Sequence, residues 1–215
     1  MAVHAAAFVA VAKRKSAYAL GMTRISHIDT TAFTRRGEAW SEVTELAPSS
    51  YRVRLGGAFR GAWLAHLGGH LAARQISIDH IHARCESGDI WIAELHLLSI
   101  GDETAPLGID YAALAQAESS SRAAFELTSY RLLDSRDYGG SLMLTLEAPD
   151  SLGLLGALLR SLSELGLFPV ELHIETKDGR AYDSLWLAAD GRTSPSAALR
   201  AAALALLDRS LGVPA

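Results

Sequence analysis

Sliding the sequence over itself by 91 positions places Leu64 on Leu155, Ile76 on Leu167, Ile81 on Leu172, His82 on His173 and Gly88 on Gly179. Identities are few, so the order of elements carries the match. A chain that repeats its pattern at this spacing is constrained to build one supersecondary unit twice. The second copy is the clearer. Leu142, Leu144 and Leu146 alternate with Ser141, Thr145 and Glu147, which predicts a half-buried strand. Pro149, Asp150 and Ser151 break it and offer capping oxygens. From Gly153, Leu155, Leu158, Leu159, Leu162 and Leu165 form one stripe of an amphipathic helix, and Gly166 ends it. Val170, Leu172 and Ile174 then alternate with Glu171, His173 and Glu175 in a second strand. Lys177-Asp178-Gly179 is a hairpin turn. A third strand runs over about 181–188, and Ser194-Pro195 caps a last helix over 197–207.

The first copy has the same order: a strand holding Tyr51, Val53 and Leu55, a helix over about 62–73, strands over 76–84 and 90–98 around a Ser87-Gly88 turn, and a helix over about 109–123. Each copy is preceded by an extended segment, 42–46 and 125–133. This predicts an α+β fold of two ferredoxin-like units, antiparallel sheets with helices on one face. The sixth element of each unit is either the strand after it or the one before it. The expected boundaries are an extension over 1–40, a degenerate unit over 41–134 and a second unit over 135–215.

Composition narrows the function classes. The net charge of −4 lacks the basic footprint of a nucleic-acid binder. Cys85 is the single cysteine, so no intramolecular disulfide or Cys-rich zinc site can form, and a reducing, cytoplasmic compartment is expected. No apolar run reaches the roughly 18–20 residues of a membrane span. The apolar stretch Ala5 to Ala12 is followed by Lys13-Arg14-Lys15, the reverse of the charge order in a secretory leader.

The run Leu144-Thr145-Leu146-Glu147-Ala148-Pro149-Asp150-Ser151-Leu152-Gly153-Leu154-Leu155 resembles the opening of an ACT domain. So do Leu165-Gly166-Leu167, His173-Ile174-Glu175-Thr176 and Gly179-Arg180-Ala181-Tyr182-Asp183. The likeness is to tandem ACT proteins of the kind found at the C-terminus of the bidirectional PII uridylyltransferase. It covers 141–207 well and 51–123 weakly. Leu152 stands where that family usually has Pro, and Ala58-Phe59 replaces Pro149-Asp150 in the first copy. The resemblance implies βαββαβ modules that bind an amino acid or similar small ligand where two modules meet, without a cofactor and without chemistry of their own.

The residues themselves fit such a role. Gly153 lets backbone approach a ligand, and the free N–H groups of the helix it opens suit a carboxylate. Asp150 either holds a ligand amino group or caps the helix. The candidate ligand-binding set is Asp150, Ser151, Leu152, Gly153, Leu154 and His173, with Gly61, Ala62, Trp63 and His82 as the first-copy equivalents. The second strand of one copy is expected to close the pocket of the other.

Glu171, His173 and Glu175 make an acidic stripe on the helix-free face, and His80, His82 and Arg84 a basic one. These are solvated faces, or they pair within the chain or between chains. His80/His82 and His66/His70 have spacings that can hold a metal, but neither has an H-E-x-x-H glutamate or a cysteine set, so no metal site is assigned. No G-x-S-x-G, G-x-x-x-x-G-K-[ST] or G-x-G-x-x-G motif occurs. The expected function is a non-catalytic amino-acid sensor, a homodimer acting on a partner enzyme. The alternative is a ligand-free interaction scaffold or an oligomerising regulatory subunit.

Overall fold

The computed structural model describes residues 38–87, 89–101, 105–119 and 124–212. Most of the expected extension, the turn residue Gly88 and the end of the expected 109–123 helix lie outside them. The elements are β1 (Trp40–Ala47), β2 (Ser50–Ala58), α1 (Trp63–Ala73), β3 (Ile76–Ser87), β4 (Ile90–Ser99), α2 (Tyr111–Gln116), β5 (Ser129–Ser135), β6 (Ser141–Pro149), α3 (Leu154–Glu164), β7 (Leu167–Lys177), β8 (Arg180–Ala189) and α4 (Ala197–Arg209). They form one eight-stranded antiparallel sheet in the order β1-β2-β4-β3-β7-β8-β6-β5.

The 91-residue offset reappears in the element bounds. β2 and β6, α1 and α3, and the starts of β3 and β7 coincide under it. The strand order is a palindrome about the β3–β7 pair. The sixth strand question is answered by position: β1 and β5, the strands before each pattern, take the sheet edges beside β2 and β6. The order along the chain is therefore ββαββα, with the sixth strand leading and not closing each pattern.

Alternation places Tyr51, Val53, Leu55, Ala93, Leu95, Leu97, Leu144, Leu172 and Leu185 on one face of the sheet, all at most 1% exposed, in a continuous core with Leu64, Leu67, Leu71, Leu158 and Leu162 of the helices. Trp63 of α1 stacks on Phe59 and meets the edge of Trp91, with ring centres 5.1 and 5.5 Å away. A bulge falls at Asp79 in β3 and another at Val170 in β7, the same place under the 91-residue offset. Each flips the inward phase: Ile76 and Ile78 precede it, and Ile81, Ala83 and Cys85 follow it. The bulge in β7 follows Pro169, whose missing N–H would in any case interrupt a ladder.

Two helices differ from expectation. α2 stops at Gln116, because Ala117 is already extended and Glu118-Ser119 begin a serine-rich run that favours local side-chain bonds over helix. The N-cap of α4 is Ser196, whose hydroxyl accepts from Leu199 N–H at 3.2 Å. Ser194 and Pro195 precede the cap, since proline drives the residue before it out of helical geometry. Asp178 and Gly179 form the expected hairpin turn, both with positive φ.

The close point of the helix layer is α1 against α3. A Cβ on Gly156 would stand 3.0 Å from Gly69 N and 3.2 Å from Gly68 C, both backbone atoms of the facing helix. In an isolated helix Gly→Ala stabilises by roughly 0.5–1 kcal/mol. Here Gly156→Ala must push the helices apart, so the sign reverses. The expected loss is about 1–3 kcal/mol, or a fall of several degrees in Tm by calorimetry. A Tm at or above wild type would show that this crossing does not limit the fold.

Candidate functional site

β6 ends at Pro149, and the chain turns through Asp150, Ser151 and Leu152 to Gly153, the N-cap of α3. Gly153 has φ of +87°, a left-handed conformation that favours glycine, and α3 has no side-chain cap. Asp150 N–H donates to Gly179 O at 2.9 Å, which ties the loop to the β7–β8 turn. Asp150, Ser151, Gly153, Leu154, Leu155 and Gly156 form one wall of a crevice. Ile76, Ser77 and Ile78 of β3 form another, and Ile174, Thr176 and Asp183 lie at its floor. The crevice thus draws on both halves of the sheet. Its cavity is about 30 Å³, room for one or two waters.

Asp183 is the unusual group. It sits on β8 between Leu146 and Ile174, in the inward phase shared by Ala181, Leu185 and Leu187. It is 2% exposed, and neither carboxylate oxygen has a hydrogen-bond partner among the described residues. Burial, and then the neighbouring charge of Asp150, push its pKa up to about 7.

A second crevice lies at the equivalent place in the first half. Phe59 and Gly61 of the β2–α1 loop, Asp89 and Trp91 face Phe168 and Pro169 of β7 and the Asp190–Arg192 turn around about 270 Å³. Phe168 rests on Gly61, where a Cβ would meet its ring at 2.6 Å. The Arg192 guanidinium reaches Cys85 Sγ, whose thiol pKa burial raises.

The sequence-derived candidates therefore fall in three places. Asp150, Ser151, Gly153 and Leu154 line the first crevice, with Leu152 half-buried in the same loop. Gly61 lines the second, Ala62 is the N-cap of α1, and Trp63 is core, 1% exposed. His82 and His173 lie on the opposite face of the sheet from both crevices. Asp183 lies outside the sequence-derived set, although the sequence carries its signal: a carboxylate in the apolar phase of an alternating strand.

The helix-free face carries the two charged stripes, and they pair within the chain. The register sets His80 opposite Glu175, His82 opposite His173 and Arg84 opposite Glu171. The His82 and His173 rings stack with centres 4.3 Å apart. Glu171 Oε1 lies 2.8 Å from His173 Nε2 and 3.8 Å from His82 Nε2, and the Tyr138 hydroxyl donates to Oε2. Trp186 and His173 meet edge-to-face with ring centres 5.7 Å apart. Burial and the neighbouring His173 lower the pKa of His82; burial and His96 lower that of His80. Burial works to raise Glu171, but the bonds from Tyr138 and His173 hold it below the ordinary carboxylate value. Further along the face, His96 at 3.5 Å and Arg54 at 2.7 Å hold Glu94 down to about 2.

No family model matches the chain, and no curated protein does. Among solved structures, the aspartate kinase from Synechocystis aligns over 75% of this chain at 15% identity and a TM-score of 0.45. The chain spans 27% of the length of that kinase. Among the described residues no helix is long and apolar enough to cross a membrane.

The raised pKa of Asp183 has a definite sign. Between its unfolded value near 4 and about 7 the folded chain binds one more proton than the unfolded chain, so this group makes stability fall as pH rises through that window. Above it the penalty is constant. Asp183→Asn is expected to stabilise the chain by roughly 2–4 kcal/mol above pH 7 and to leave it little changed near pH 4. Denaturant melts across pH 4–8 measure this, and a variant without gain at pH 8 would mean that Asp183 is compensated.

Proposed function

We propose that the chain is a non-catalytic regulatory protein in which two ACT-like units, 41–134 and 135–215, hold an amino acid at their seam. One observation supports this reading above the rest: the α3 N-terminus, Asp150 and the unpartnered Asp183 converge on a crevice that β3 of the other half closes. A zwitterion has the matching charges. Leu154 N–H already donates to Ser151 O, so the zwitterion's carboxylate takes the N–H groups that follow in the first turn of α3, where the helix dipole favours an anion. Its ammonium group goes to Asp150 and Asp183, and a cation there removes the cost of burying Asp183 ionised.

The crevice is smaller than any amino acid, so a guest must part β3 from the α3 loop. Binding is then linked to the packing of the two halves, which is how a ligand favours one arrangement and passes a signal to a partner enzyme or a second copy of the chain. The 270 Å³ crevice has the room, but Phe59 and Arg60 stand in place of Asp150 and Ser151, and its two carboxylates, Asp89 and Asp190, are exposed.

The narrow cavity also favours a second reading, a scaffold whose seam stays closed. Thermal-shift measurements with each of the twenty amino acids at millimolar concentration separate the two. A ligand at 100 times its Kd adds about 2.7 kcal/mol. At least one amino acid is expected to raise Tm by several degrees, and Asp150→Ala or Asp183→Asn to abolish that rise while the variants still melt cooperatively. Twenty flat responses would leave the scaffold.

A further inference from the structure

We propose that His82, Glu171 and His173 form a divalent transition-metal site on the helix-free face, where β3 and β7 meet. One ligand atom from each residue lies within 4.8 Å of the others. Two imidazoles and one carboxylate are a donor set that suits zinc and its neighbours, and leave positions open for water. Bonds of about 2 Å in a tetrahedral arrangement place ligand atoms about 3.3 Å apart. The observed 2.8 Å (His173 to Glu171) and 3.8 Å (His82 to Glu171) bracket that spacing. The third separation, between the two imidazole nitrogens, is within 4.8 Å, so an ion would draw His82 in toward Glu171 and His173.

The set is supported from behind. Tyr138 holds Oε2 of Glu171 and leaves Oε1 to the ligand cluster. Trp186 packs edge-to-face with His173. Such outer contacts orient ligands in metal sites. Hydrogen bonding accounts for His173 and Tyr138 on Glu171 but not for the place of His82. Both Nε2 atoms converge on one carboxylate oxygen, yet 3.8 Å is too long for a hydrogen bond from His82. Two stacked imidazolium ions would repel, whereas two neutral rings suit a shared cation. Arg84, opposite Glu171 in the ladder, is engaged by Glu86 at 2.5 Å. An ion can enter, because 42% of the His173 side chain and 19% of that of His82 are exposed.

Full-length protein is titrated with Zn²⁺ by calorimetry and with Co²⁺ by visible absorption. One ion per chain is expected, with ligand-field bands that mark histidine and carboxylate coordination. His82→Gln, His173→Gln and Glu171→Gln should each weaken binding about ten-fold or more, and His66→Asn/His70→Asn, on α1, should not. Histidine footprinting of the wild type by mass spectrometry adds a reading that needs no variant: Zn²⁺ should protect His82 and His173 together. Absence of Co²⁺ bands, binding that survives the three single variants, or Zn²⁺ protection confined to other histidines would overturn the proposal.

Discussion

The antiparallel pairing of β3 with β7 is the interaction on which the rest depends. It joins two four-stranded halves into one sheet, and it is short, running from His80 opposite Glu175 to Arg84 opposite Glu171. Its centre pairs His82 with His173, two residues that are equivalent under the 91-residue offset. Equivalent residues facing each other put a local twofold axis between them. On the core face the same seam is closed by the crossing of α1 and α3, where Gly68, Gly69 and Gly156 bring backbone to backbone. A one-residue slip of the ladder would send Ile81, Ala83, Leu172 and Ile174 to the polar face and the histidines into the core, so register is strongly specified.

Near-symmetry makes the departures from it informative. Both halves place a loop and a helix start against the other half, at β3 or at β7, yet one crevice is narrow and acidic and the other wide and lined by aromatic rings. The difference traces to a few positions. Asp150 and Ser151 correspond to Phe59 and Arg60. Phe59 turns into the core beneath Trp63 and Trp91 instead of standing at a helix start. Asp183 corresponds under the offset to Ile92 or, by its place in the strand, to Ala93, so the first half has no carboxylate on the core face at that level; the buried Glu94 beside it lies on the other face, held by Arg54 and His96. The costly group occurs once, in the half whose loop also carries Asp150.

Local pattern made much of this legible. The places of β2 and β6, α1 and α3 followed from alternation and element order, which both copies repeat; the leucine stripe and the glycine stop, Gly166, belong to the second copy, and Gln75 stands at the matching place in the first. The end of α2 did not, since alanines favour helix until the serine run competes. The bulges at Asp79 and Val170 were also invisible, because one extra residue reverses phase without changing composition. For the sites, the loop from Asp150 to Leu154 was readable from its breakers and its glycine. The stripes of β3 and β7 were visible as charge patterns, but that they face each other within one chain is a property of register. Tyr138 joins the cluster from a turn 33 residues before Glu171, a distance no periodicity spans.

The crevice and the histidine cluster lie on opposite faces of the same two strands, and the bulge decides how independent they are. Ile76, Ser77 and Ile78 border the crevice ahead of the bulge; His80, His82 and Arg84 are paired with β7 after it. The first three bond to β4 but take no part in the β7 ladder. Widening the crevice therefore requires β3 to bend at Asp79, where the ladder is already irregular, and leaves the five β3–β7 pairs in register. Motion that instead slid β3 along β7 would have to break those pairs and separate the stacked imidazoles at once. The bulge is the softer of the two, so the fold allows the acidic crevice to open while the joint beneath it stays fixed.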